Sequence, residues 1–70
     1  MGECTVLKAY RKLYKIKAQE MAELLGITLP TYCNKENGKA TFTILEAKTI
    51  ANKFNKTIDE IFFNDNVILE

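Results

Sequence analysis

The stretch Met21-Ala22-Glu23-Leu24-Leu25-Gly26-Ile27-Thr28 limits the fold more than any other part of the chain. Met21, Ala22, Leu24 and Leu25 fall on one helical stripe, which predicts a helix from Ala18 to Leu25. Gly26 follows at once, where a helix end calls for a left-handed residue. Ile27 can then turn back into a core, and Thr28 is a good N-cap for another helix. Two helices joined by so short a turn cross steeply, and the second projects from the surface. Two readings are open: a plain helical hairpin in a small bundle, or a helix-turn-helix. In the second, a rod about 10 Å across is set to enter a DNA major groove.

The rest of the chain is helical in the same way. Val6, Leu7, Tyr10, Leu13 and Tyr14 predict a first helix over residues 5–14, with Thr5 as N-cap. Pro30 fits the first turn of the third helix, whose end near Glu36 is marked by Asn37-Gly38. Thr43 with Glu46 and Thr57 with Glu60 both have capping-box spacing. The stripes behind them are Ile44, Ala47, Ile50, Ala51 and Phe54, then Ile58, Ile61 and Phe62, separated by a break at Asn55-Lys56. Five helices in 70 residues predict an all-α domain over residues 1–63, with residues 64–70 as a short tail. The apolar Val67-Ile68-Leu69 of that tail and Leu45 are candidate dimer surface.

Several classes of function are disfavoured. No apolar run is long enough to span a bilayer and none follows Met1 as a signal peptide, so a cytoplasmic protein is expected. Two cysteines and no histidine supply neither a structural zinc site nor the commonest general base. No Gly-rich phosphate loop and no nucleophile–base pair stands out, so no catalytic residue, cofactor, metal or small-molecule substrate is expected. Charge is lopsided. Residues 5–19 hold Lys8, Arg11, Lys12, Lys15 and Lys17 and no acid, and residues 57–70 hold four acids and no base.

Taken together, Met21–Thr28, Thr31-Tyr32, Glu36-Asn37-Gly38-Lys39, the Thr43–Phe54 pattern and Thr57–Phe62 resemble the Cro/repressor (XRE-type) helix-turn-helix domain over residues 5–63, in particular its short prophage members. The resemblance implies a five-helix, lambda-repressor-like fold with the helix-turn-helix at the second and third helices. It also implies a non-catalytic regulator that binds double-stranded operator DNA as a homodimer.

Residue roles follow from the same resemblance. Leu29, Pro30, Thr31 and Asn34 occupy positions that face base edges in the family. Asn34 suits an adenine edge, Thr31 several bases, and Leu29 a thymine methyl. Leu29-Pro30 replaces the polar pair of many members, which shifts readout toward methyl contact and DNA shape. A partly buried surface role is the alternative for Leu29. Lys17, Thr28, Lys35, Lys39, Thr43 and the backbone amides near Asn37 and Gly38 are the candidate phosphate contacts. At the start of the second helix Lys17 and Ala18 stand where the family has a capping Ser or Thr and a phosphate-binding Gln. The usual hydrogen bonds are therefore expected to be lost, with Lys17 supplying charge. Arg11 and Glu36 are the expected structural ion pair, setting the angle of the third helix. Tyr10, Tyr14, Tyr32, Phe42 and Phe54 are assigned to the core, and Cys33 is a minor candidate redox site. The competing function is a protein-interaction module, an antitoxin or antirepressor partner that keeps this fold without specific DNA binding.

Overall fold

The computed structural model describes residues 4–62. The 64–70 tail, with Val67-Ile68-Leu69, lies outside the described residues. Among those described, the chain forms α1 (Thr5–Leu13), α2 (Ala18–Leu25), α3 (Leu29–Glu36), α4 (Ile44–Phe54) and α5 (Ile58–Phe62). The all-α, five-helix architecture expected from the periodicity is the one observed.

Helix ends explain why so short a chain turns so often. α1, α2 and α4 all stop in the same way, with a left-handed residue followed by a reversed pair of backbone hydrogen bonds. At Gly26 (φ 72°) the glycine amide donates to the Glu23 carbonyl and the Ile27 amide to that of Ala22. Lys15 (φ 58°) and Asn55 (φ 57°) do the same after α1 and α4. The apolar residues after two of these turns, Ile16 and Ile27, pack back against the core. At the other end of the helices, Thr43 and Thr57 each accept from the amide of a glutamate three residues on. That glutamate in turn accepts from the threonine's own amide, completing both capping boxes.

The core centres on Leu7, Met21, Ala22, Tyr32, Ala47, Ile50, Ile61 and Phe62, with Phe42 plugged in from the loop between α3 and α4. Phe42 lies tilted between Tyr32 and Phe62, with ring centroids 5.9 and 5.6 Å away. α1 packs against α3 and α5, and α2 against α3 and α4. α3 is thus clamped from two sides while one edge stays free.

Four expectations need correction. Cys4, not Thr5, occupies the N-cap of α1, and its amide donates to the Glu36 carbonyl at 2.9 Å. Leu13 is 68% exposed, because the apolar face of α1 is wider than the helices packed on it can cover. Leu24 is 42% exposed. At about 100° per residue it sits roughly a quarter turn or more from the direction shared by Met21, Ala22 and Leu25. Tyr14 is not a core residue, since it follows the last residue of α1 and is half exposed. One face of its ring stacks on Phe54 at 5.7 Å.

Candidate nucleic-acid interface

α3 begins with a cap that needs no other element. The Thr28 hydroxyl accepts from the Thr31 amide at 3.3 Å and donates to the Thr31 hydroxyl at 2.8 Å. Pro30 falls in the first turn, where a missing N–H costs nothing. The helix ends where the Asn34 carbonyl accepts from the amides of Lys39 and Ala40.

The two sides of α3 differ sharply. Tyr32 and Glu36, four residues apart, point inward and are buried. Glu36 is the sole buried charged residue among those described, and its carboxylate is well supplied with donors. Arg11 Nε donates to Oε2 at 2.9 Å and Nη2 to Oε1 at 3.1 Å, a two-pronged grip that fixes direction as well as distance. The Tyr32 hydroxyl donates to Oε2 at 2.8 Å. Arg11 also donates through Nη1 to the Ile16 carbonyl at 3.1 Å, so one guanidinium ties α3 to the turn between α1 and α2. Burial pushes the Tyr32 phenol far above its ordinary range, and the adjacent carboxylate adds to the effect. The hydrogen bond to Glu36 raises the Arg11 guanidinium, burial opposing it. Among the described residues no buried side-chain nitrogen or oxygen lacks a partner.

The opposite edge of α3 carries Leu29, Pro30, Thr31 and Asn34, all of them exposed. Leu29 lies at the margin, 37% exposed. Cys33 is half-buried beside them and unbridged. Of these side chains, Asn34 offers both an amide donor and an acceptor, whereas the Thr31 hydroxyl is already held by Thr28.

The residues flanking this edge fall into two sets. Lys17, Thr28, Lys39 and Thr43 are exposed, at the N-caps of α2, α3 and α4 and in the loop after α3. Lys35 is different. Its ammonium lies 2.6 Å from Glu46 Oε1, and the pair is mostly shielded from solvent. Burial works against ionisation of Glu46, yet the bonds from Lys35 and the Thr43 amide hold its carboxyl below the usual range. Lys35 therefore fastens α3 to the start of α4 and is not an open cation. The Asn37 and Gly38 amides likewise donate internally, to the carbonyls of Cys33 and Lys35, which leaves the exposed Asn37 side chain as the polar group there. At α2 the expected loss of capping is only half observed. The Lys17 amide still donates to Glu20 at 2.8 Å, and Gln19 is hydrogen-bonded to Glu23.

The bond from the Tyr32 hydroxyl to Glu36 and the link between Lys35 and Glu46 were not expected from sequence. The i, i+4 spacing of Tyr32 and Glu36 is the signal that was available for the first. The second joins residues eleven apart and had none.

A turn of this geometry, with one helix face anchored and the other presented to solvent, defines a helix-turn-helix domain. A helix-turn-helix family model matches residues 7–61, and the chain belongs to this XRE-type family of DNA-binding transcription regulators. No curated protein and no solved structure matches it significantly. No helix among the described residues is long and apolar enough to cross a membrane.

Proposed function

We propose that this protein is a sequence-specific regulator of the phage or prophage Cro type, binding operator DNA as a homodimer and repressing from it. The observation that carries the reading is the division of α3: Thr31 and Asn34 are open to solvent while Tyr32 and Glu36 hold the helix from behind. Asn34 reads an adenine edge, and Leu29 and Pro30 pack on thymine methyls, so the preferred half-site is rich in A·T pairs. Lys17 and Lys39 supply phosphate contacts at the margins. A single short helix reads too few base pairs for useful specificity, which calls for two half-sites about 34 Å apart on one face of the duplex. Leu45, 74% exposed on α4, is a candidate for the dimer surface.

Selection of bound sequences from random DNA, followed by titration across a salt series, tests this. The expected result is a two-fold-symmetric, A·T-rich site. If Lys17 and Lys39 of both subunits each neutralise one phosphate, log K against log[salt] has a slope of about −3.6. Absence of any preferred sequence at low salt favours the interaction-module reading, to which the apolar Leu29-Pro30 edge and the net charge of +1 lend some support.

A further inference from the structure

α3 carries one basic residue, Lys35. It follows Thr31 by four residues, the spacing at which two side chains share a helix face. Its stem therefore leaves α3 on the side that also carries Thr31 and Asn34. A lysine on that side suits the phosphates that border a groove, and such a contact is blind to base sequence. Each contact of this kind adds affinity for any duplex, operator or not.

Glu46 takes this cation out of reach. Lys35 Nζ lies 2.6 Å from Glu46 Oε1, with the two side chains only 13% and 16% exposed. The carboxylate is fixed independently of the lysine. The same Oε1 accepts from the Thr43 amide at 2.9 Å, and the Glu46 amide donates to the Thr43 hydroxyl at 3.1 Å. The anion thus belongs to the cap of α4, and the flexible partner is the lysine, whose long stem turns to meet it. The bonds that Glu46 accepts hold its carboxyl below the usual range, so the pair is charged at neutral pH. Lys17 and Lys39, by contrast, are exposed.

We propose that Glu46 limits the sequence-independent part of DNA binding by holding Lys35 away from phosphates. Glu46 is a positioning residue: it acts through Lys35 and touches no DNA itself. This role rests on α3 binding DNA.

The test is binding of the full chain to a random-sequence duplex across a salt series. Wild type is compared with Glu46→Gln, Lys35→Gln, the double variant and Lys39→Gln. Glutamine keeps the acceptor that the Thr43 amide uses, so the cap of α4 survives. Glu46→Gln frees one lysine per subunit, and the slope of log K against log[salt] is expected to steepen by about 1.8 for a dimer. The extra fall in affinity between roughly 50 and 200 mM salt is then about 12-fold. Lys35→Gln is expected to leave the wild-type slope in place, whereas Lys39→Gln flattens it by about 1.8. The double variant is expected to return to the wild-type slope. A merely structural link would change Tm and leave the slope of Glu46→Gln alone. Three results overturn the proposal while DNA binding stands: an unchanged slope in Glu46→Gln, a steeper slope that persists in the double variant, or a Lys35→Gln slope as flat as that of Lys39→Gln. The last would mean that Lys35 already meets a phosphate in wild type. A wild-type chain that binds no duplex even at low salt overturns both this role and the reading of α3.

Discussion

The two faces of α3 solve opposite problems with the same eight residues. The inner face is crowded with mutually dependent bonds: Arg11 on Glu36, Tyr32 on Glu36, and the Cys4 amide on the Glu36 carbonyl. The outer face has only the bond between the Thr28 and Thr31 hydroxyls, and the Asn34 side chain is exposed beside it. Anchoring and reading are thereby separated. The geometry of presentation is set by the groups on the inner face, and the residues proposed to read bases stand on the outer one.

The largest way to break this comparison is to loosen the anchor. Arg11→Met leaves the buried Glu36 carboxylate without its cation and is expected to cost about 3–5 kcal/mol in a chemical denaturation curve. That is a large fraction of the total for a domain of this size. A curve that overlays wild type would remove the anchor from the account. Tyr32→Phe is a smaller breach. It deletes one hydrogen bond to a buried charge and should cost about 1.5–3 kcal/mol at neutral pH. The sign above pH 10 sharpens the assignment. There the unfolded phenol ionises while the folded one keeps its proton, so wild-type stability falls as pH rises and the gap to the phenylalanine variant narrows.

Asn34→Ala addresses the outer face. Folding stability should change by less than about 0.5 kcal/mol, as at other exposed sites. Discrimination between the preferred base pair and its substitutes should fall by about 1–3 kcal/mol in competition binding. A variant that loses stability but keeps discrimination would reverse the roles given to the two faces. The smallest effect concerns the Lys35–Glu46 link. Glu46→Gln is expected to cost about 1 kcal/mol at pH 7, the upper range for a pair that solvent still reaches. Because the folded Glu46 carboxyl sits below its ordinary 4.5, its stabilisation is complete above that pH and is lost as pH falls through the folded value. Wild type and variant should therefore converge in denaturation curves as the pH is taken down below 4.5.

Most of the architecture was legible in sequence because its signals are local. The capping boxes at Thr43 and Thr57, the glycine at 26 and the proline at 30 act over three or four residues, and each was read from spacing alone. The Arg11 and Glu36 pairing spans 25 residues and was accessible only through the resemblance of separated segments. Lys15 was missed as a left-handed residue because lysine has no special preference for that conformation. It is held there by the same pair of reversed hydrogen bonds that a glycine would make.

The sequence by itself determined where α2, α3 and α4 start and stop and where α5 starts, and that one of them is offered to solvent after a tight turn, since these depend on neighbours along the backbone. Only the tertiary structure decided which apolar residues are covered, which lysine is already paired and which amides are already bonded. Leu13 and Leu24 look like core until the surrounding helices are counted around them, and Lys35 looks like a phosphate ligand until Glu46 is found beside it. Helix formation is settled within a few residues, whereas burial and charge pairing depend on segments brought together from far along the chain.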